Sequence, residues 1–121
     1  MDLATLIDEA ERLSQLLDNG VQALRDAAVA VSEAEHAYRR AHAEAYLETQ
    51  GTVGERDAQA YLLIGDKRFQ RDLAENGKLA ALEALRSRRA QLSAVQSLLT
   101  AHKAEADFAR TGPVYETRRS D

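Results

Sequence analysis

Apolar residues in the first part of the chain recur at spacings that alternate between three and four residues. The series has thirteen positions between Leu3 and Ala45, and Gly20 is its one member without an apolar side chain. An average spacing of 3.5 residues is the coiled-coil period, which keeps one stripe of a helix turned towards a partner. The pattern therefore predicts a long amphipathic helix over about residues 3–49.

Asn19 and Gly20 are the weak point of this first predicted helix. A glycine in a helix interior costs about 1 kcal/mol relative to alanine. The pattern leaves open whether Gly20 is a kink or a turn, and it slightly favours a break near Asp18.

Residues 50–55 carry the clearest turn signal in the chain. Thr52 followed by Glu55 has the spacing of a capping box, in which the threonine hydroxyl accepts a hydrogen bond from the third amide of the new helix. Gly51 suits the position just after a helix end. A short link between two long helices predicts an antiparallel hairpin, whose second helix covers about residues 53–109.

The second predicted helix has a less regular apolar pattern, and its register changes at Asn76-Gly77. That dipeptide is open as a kink or a turn. The run of Thr111, Gly112 and Pro113 predicts the end of the helix. We therefore expect a single helical-hairpin domain over residues 1–110 and a flexible tail over residues 111–121.

The composition predicts self-association of such a hairpin. The chain has 121 residues, of which 45% are hydrophobic and 30% are charged, and much of the hydrophobic share is alanine, which buries little area. A lone subunit would have a thin core. The predicted fold is all-α: a long antiparallel helical hairpin with an N-terminal coiled-coil-like helix, assembled as a homo-oligomer whose subunit count the pattern leaves open. The predicted oligomer seam, called the heptad seam below, consists of Leu3, Leu6, Leu13, Leu17, Leu24, Val31, Tyr38, Leu85, Leu92 and Leu99.

Catalytic and metal-binding patterns are weak in this sequence. The chain has no cysteine, and His36 and His42 are six residues apart, so they do not form the i, i+4 pair typical of a helical metal site. No apolar run approaches the roughly 20 residues of a membrane span. The first residues lack the basic segment of a secretory signal. We expect a non-enzyme without metal or cofactor, not associated with a membrane and located in the cytoplasm.

Charge is distributed unevenly between the two halves. Residues 1–50 carry 10 acidic and 4 basic side chains, whereas residues 51–121 carry 10 acidic and 12 basic ones. One face of the second predicted helix carries a row of basic residues at spacings of three and four, namely Arg68, Arg71, Lys78, Arg86 and Arg89. Glu75 and Leu82 interrupt the row, and Lys67, Arg88 and Arg56 lie near its edges. The basic strip, as the candidate binding residues are called below, consists of Lys67, Arg68, Arg71, Lys78, Arg86, Arg88 and Arg89. It either pairs with the acidic first helix or follows a phosphate backbone, with Tyr61 and Phe69 offering stacking surfaces.

Four runs of the sequence, residues 38–46, 51–56, 67–73 and 82–92, give the chain a resemblance to a known group of proteins. In layout and residue class, these runs resemble small bacteriophage helical-hairpin proteins similar to recombination mediators of the UvsY type. The resemblance covers about residues 35–105 and involves no catalytic motif.

The resemblance implies a function for the basic strip. Proteins of that type assemble into rings, bind single-stranded DNA and help to load a recombinase in place of a single-strand-binding protein. The DNA-contact role would fall on Lys67, Arg68, Arg71 and Lys78, and then on Arg86, Arg88 and Arg89. We therefore expect a phage or prophage accessory protein of homologous recombination, acting in the host cytoplasm with the recombinase or the single-strand-binding protein as a partner. The alternative is a helical scaffold or interaction module, for virion assembly or inhibition of a host factor, that has no nucleic-acid role.

Overall fold

The computed structural model describes residues 1–119, with side chains as far as Thr111, and this part of the chain is helical without any strand. Three helices follow one another: α1 over Leu3–Glu48, α2 over Val53–Leu63 and α3 over Gly65–Arg119. The predicted all-α class is confirmed. None of the described helices has a stretch apolar and long enough to cross a membrane.

Helix α1 passes through Gly20 without interruption, so the break favoured there is wrong. Its first turn is capped by Asp2, whose Oδ1 accepts a hydrogen bond from the Thr5 amide at 2.8 Å. This hydrogen bond lowers the pKa of Asp2 below its ordinary value. A lowered pKa means that the cap stabilises the helix at neutral pH and that this contribution disappears as the pH falls through the acid range.

The loop between α1 and α2 has the predicted capping geometry. Thr52 Oγ1 accepts from the Glu55 amide at 3.3 Å, and Gly51 has a φ of 118°, in the region that favours glycine. Tyr46 lies near the end of α1, and its carbonyl oxygen accepts from the Thr49 hydroxyl at 2.8 Å and from Arg56 Nη2 at 2.9 Å. These donors satisfy a carbonyl that has no partner in the helix itself.

The second predicted helix is interrupted once, at Ile64, rather than at Gly77. The interruption is small: the Ile64 amide donates to the Ala60 carbonyl at 3.2 Å, and the Ile64 carbonyl accepts from the Arg68 amide at 3.1 Å. Helix α3 then runs through Gly77 and past the predicted end at residues 111–113 to Arg119. Residues 120 and 121 of the predicted tail lie outside the described residues, and the flexibility of the tail stays a prediction.

The chain divides into two compact units. Unit 1 combines Met1–Asn19 with α3 from Leu85 onward, and unit 2 is Gly20–Ala84. In unit 1, the buried side chains Leu6, Leu13 and Val95 form the centre of the core. Partly buried apolar residues pack around them, namely Ala10, Leu16, Leu92 and Leu99.

The core of unit 2 is built from smaller side chains. Ala45 of α1, Ala60 of α2 and the inter-helix residue Ile64 are buried together. The half-buried rings of Tyr38 and Tyr46 pack against them. Alanines let the helix backbones approach closely, while the tyrosines supply most of the apolar surface around them.

The heptad seam is largely used inside the chain. Leu6, Leu13 and Leu85 are buried within the single subunit, so here they pack against the chain itself and not against a copy. Leu3 is exposed. The remaining seam residues are half-buried, namely Leu17, Leu24, Val31, Tyr38, Leu92 and Leu99. The sequence found the apolar row, but the structure assigns its most buried positions to intrachain packing.

Two glycines give stability predictions of opposite sign. A Cβ added at Gly77 would meet no atom within 4 Å, and the residue is inside a helix. We expect Gly77→Ala to raise the free energy of unfolding by about 0.5–1 kcal/mol, because alanine is the better helix former. Gly51→Ala should lower it, because alanine is strained at a positive φ. Urea denaturation at one fixed protein concentration checks both, and a loss of stability in Gly77→Ala would contradict the prediction.

Candidate nucleic-acid interface

The basic strip is divided between the two units. Unit 2 holds Lys67, Arg68, Arg71 and Lys78, and unit 1 holds Arg86, Arg88 and Arg89. The four cations of unit 2 are all on the first third of α3, and two of them, Arg68 and Arg71, lie over a tyrosine ring. They form the candidate interface described below.

Arginine–tyrosine stacking is the most regular feature of unit 2. The guanidinium carbons of Arg56, Arg68 and Arg71 each lie over a tyrosine ring, at 4.1, 3.5 and 4.2 Å from the ring centroids. Their ring partners are Tyr46, Tyr61 and Tyr38, respectively. A cation over an aromatic face is attracted by the ring quadrupole, so the stacks fix the direction of three long side chains.

The Arg68–Tyr61 stack is the one that faces solvent. The Tyr61 ring is half exposed, and Arg68 is also held by a hydrogen bond from its Nη1 to the Tyr61 carbonyl oxygen at 3.1 Å. Together, the Tyr61 ring of α2 and the Arg68 guanidinium of α3 form a flat, positively charged surface. Both an aromatic ring and a guanidinium plane can stack on an unpaired nucleobase.

Arg71 is occupied inside the chain. Its Nε lies 3.8 Å from Glu35 Oε2 on α1, its Nη2 lies 3.3 Å from Asp72 Oδ1, and its side chain is only 24% exposed. Burial by itself would lower the pKa of Arg71, but the pKa is raised because Asp72, Glu35 and Tyr38 outweigh that effect. For Arg71, the contacts favour the interpretation in which the basic strip pairs with the acidic first helix.

Lys67 and Lys78 differ from Arg71 because both are exposed and neither forms an ion pair with any described side chain. Lys78 lies at the rim of an open groove whose other lining residues are Val31, Glu75, Leu79 and Leu82. Free ammonium groups of this kind are available to an external anion. Of the four predicted cations in unit 2, Arg71 thus pairs with a carboxylate of α1 and Arg68 stacks on Tyr61. The two lysines have no ion-pair partner among the described side chains.

The three strip residues of unit 1 are less organised. Arg88 is half-buried and donates from Nη1 to Gln91 Oε1 at 3.2 Å, whereas Arg86 and Arg89 are exposed. The structure shows no aromatic ring beside any of the three within the described side chains. They add positive charge to unit 1 without forming a comparable surface.

The stack on Tyr46 is the component that the sequence pattern did not reveal. Arg56 is not a member of the basic strip, yet its Nη2 donates a hydrogen bond to the Tyr46 carbonyl near the end of α1. Its Nε is buried without a hydrogen-bond partner. The spacing of Tyr38 and Tyr46 was only a weak signal, because residues eight apart differ by about 80° around a helix.

Metal chemistry finds no support in this part of the chain. Among the described residues, no group of three or more histidine, aspartate or glutamate side chains is arranged to hold a metal ion. The groove beside Lys78 is open and lined mainly by aliphatic side chains. The candidate interface is a charged and aromatic surface on α2 and α3.

No family model, curated protein or solved structure is similar enough to this chain to match it.

Proposed function

We propose that this chain is an oligomeric helical protein that binds single-stranded DNA without sequence preference. In this proposal it acts in a host cytoplasm as a phage or prophage accessory factor of homologous recombination, and it assists a recombinase that competes with a single-strand-binding protein. The observation that supports DNA binding most directly is the solvent-facing Arg68–Tyr61 stack, together with the unpaired cations Lys67 and Lys78.

Each part of this surface suits one part of a single strand. Phosphates attract ammonium and guanidinium groups, and the release of condensed counterions makes such binding favourable at low salt. Unpaired bases expose flat faces that stack on tyrosine and arginine. Phosphate contacts and stacking carry no direct sequence information, so the proposed binding does not read sequence.

The proposal includes an antiparallel pairing of α1 with the second arm in unit 2. Tyr46, near the end of α1, contacts Arg56 early in α2, and Tyr38, about two turns earlier, contacts Arg71 in α3. The later residue of α1 thus contacts the earlier residue of the α2–α3 segment, and the earlier residue of α1 contacts the later one. That order is the one expected of a helical hairpin.

A scaffold without nucleic-acid binding is the second candidate, and the Arg71–Glu35 ion pair favours it. In that case the basic residues serve the fold, as Arg71 does. Ion pairs at the surface of a protein typically contribute between 0 and about 1 kcal/mol, so such pairs would serve the fold only modestly. The scaffold would recognise another protein through the apolar side chains that the fold leaves in solvent.

Fluorescence anisotropy with a labelled single-stranded oligonucleotide separates the two candidates. We expect binding at low salt, with an observed affinity that falls linearly on logarithmic axes as salt is raised. Oligonucleotides of different base sequence should bind with affinities within a few-fold of one another. Absence of binding at 20 mM salt would refute the DNA proposal and leave the scaffold.

A further inference from the structure

The outward face of α3 in unit 2 carries an uncharged stripe that the fold does not cover. Its members are spaced three or four residues apart and are all exposed, and we call them the outer stripe: Phe69, Leu73, Asn76, Ala80 and Ala84. Phe69 is 65% exposed and Leu73 is 60% exposed. Large apolar groups at consecutive positions of one helix face are unusual in water unless they meet a partner.

The outer stripe is distinct from the heptad seam. No member of the stripe belongs to that seam, whose most buried residues Leu6, Leu13 and Leu85 face the interior of the subunit. In a helix, 3.6 residues make a turn, so Leu73 points away from the side on which Arg71 and Leu82 lie. The chain therefore presents one apolar row to itself and a second to solvent.

We infer that the outer stripe is the surface on which a second copy of this chain docks. This inference rests on the self-association in the proposed function and assigns it to a face that the heptad seam did not include. The stripe would lie against the same stripe of the copy, so that Phe69 and Leu73 of both subunits leave water together. The alternatives, a foreign protein or no occupant, are outcomes of the test below.

Exposed apolar side chains are the first argument for a second copy. Phe69 and Leu73 are both more than half exposed, and they lie about one turn apart on the same face of α3. A copy that brings the same two side chains to the contact would remove all four from water, which is favourable.

Charge is the second argument. In a chain of which 30% of residues are charged, the five positions of the outer stripe carry no charge. A copy that brings the same stripe therefore places uncharged residues against uncharged residues at these five positions. The alanines at positions 80 and 84 also permit close approach of the two helices, because their side chains hardly extend beyond the backbone.

Asn76 is the third argument, and it favours a copy over an unrelated helix. An asparagine amide is both donor and acceptor, so two Asn76 side chains that face each other satisfy one another. A single polar asparagine within an apolar row is a known device for fixing the register of paired helices. The stripe is therefore uncharged, and its one polar side chain can be satisfied when the stripe meets a copy of itself.

The test compares two double variants with the same change in net charge. Phe69→Glu with Leu73→Glu places two carboxylates on the stripe, whereas Val29→Glu with Leu47→Glu places two on exposed apolar positions of α1 in the same unit. Light scattering across a range of protein concentrations gives the mass. We expect an oligomer for the wild type and for the α1 variant, and a monomer, or a dissociation constant raised at least 100-fold, for the stripe variant.

A second measurement does not depend on how the stripe variant folds. The chain has no cysteine, so Ala80→Cys and Ala43→Cys each add a single exposed thiol, on the stripe and on α1. We expect association to slow the reaction of a thiol reagent at position 80 at least fivefold, comparing micromolar with high-nanomolar protein, and to leave position 43 unchanged. Circular dichroism verifies that all variants keep the helical content of the wild type.

The outcomes separate this inference from the function on which it rests. A monomeric wild type overturns both the self-association and its placement. An oligomeric wild type whose mass is unchanged by the stripe variant, or whose position 80 reacts as freely as position 43, overturns only the placement. Loss of association in both double variants also overturns it, because added charge anywhere would then suffice. None of these results depends on DNA, so DNA binding succeeds or fails by its own assay.

Discussion

Leu13→Ala should lower the free energy of unfolding by about 2–5 kcal/mol, the range measured for removing a buried leucine side chain. Leu13 is 1% exposed and packs in the core of unit 1 with Leu6 and Val95. The core is small, so the helices on either side have few other contacts that could close the resulting cavity. Urea denaturation followed by circular dichroism at 222 nm measures the change.

Leu98→Ala is the matched control for this prediction. It makes the same substitution in unit 1, but Leu98 is half exposed, so the expected loss is below about 1 kcal/mol. All proteins must be compared at one concentration, because self-association would make the apparent stability depend on it. Equal losses in the two variants would mean that Leu13 is not in a core.

The same variant also decides where the heptad seam acts. In this structure Leu13 is buried by its own chain, so Leu13→Ala should reduce stability without changing the mass of the assembled particle under native conditions. A variant that stays as stable as the wild type but dissociates would place Leu13 between copies, as the sequence pattern had predicted.

The sequence could identify the heptad seam but not its partner, for a physical reason. A row of apolar residues with a period of 3.5 is satisfied by any helix that presents a matching row, whether that helix belongs to the same chain or to a copy. Leu6 and Leu85 fit both solutions equally well when only the spacing is known. Three-dimensional packing is needed to choose between them, and it chooses the intrachain solution for the most buried positions.

The helix boundaries show which local signals are strong. Thr52 forms the predicted hydrogen bond to the Glu55 amide. Gly51 has a positive φ, which favours glycine, but it is the third residue after the end of α1 and not the position directly after the helix. Gly20 and Gly77 indicate a break only through propensity, which is worth about 1 kcal/mol and is easily outweighed by a long helix on both sides. The interruption at Ile64 had no signal beyond the glycine that follows it.

The basic strip was visible in the sequence, whereas the differences among its members were not. Spacing places Arg71 and Lys78 on one face, but it cannot show that Glu35 of α1 lies beside Arg71 and that none of the described carboxylates pairs with Lys78. Those distances depend on how the helices align, which is set by the tyrosines and alanines in the core of unit 2. The structure thus separates cations that pair with a carboxylate of the chain, such as Arg71, from cations without such a partner among the described side chains, such as Lys78.

Lys67→Ala combined with Lys78→Ala should weaken single-stranded DNA binding and make it less dependent on salt. Each cation that neutralises a phosphate of a single strand contributes about 0.7 to the slope of log affinity against log salt, so the loss of two reduces the slope by about 1.4 per bound subunit. Between 50 and 200 mM salt, the loss of affinity should then be about sevenfold smaller than for the wild type.

Arg39→Ala combined with Arg40→Ala is the control that gives this prediction its force. It removes the same two positive charges from unit 2, but from α1, where both arginines already pair with Glu35 and Glu44. If DNA responds to the free cations of α3, the control keeps the wild-type slope and the lysine variant loses part of it. Equal slopes in the two variants would mean that DNA responds only to the overall charge, and the interface on α2 and α3 would have to be abandoned.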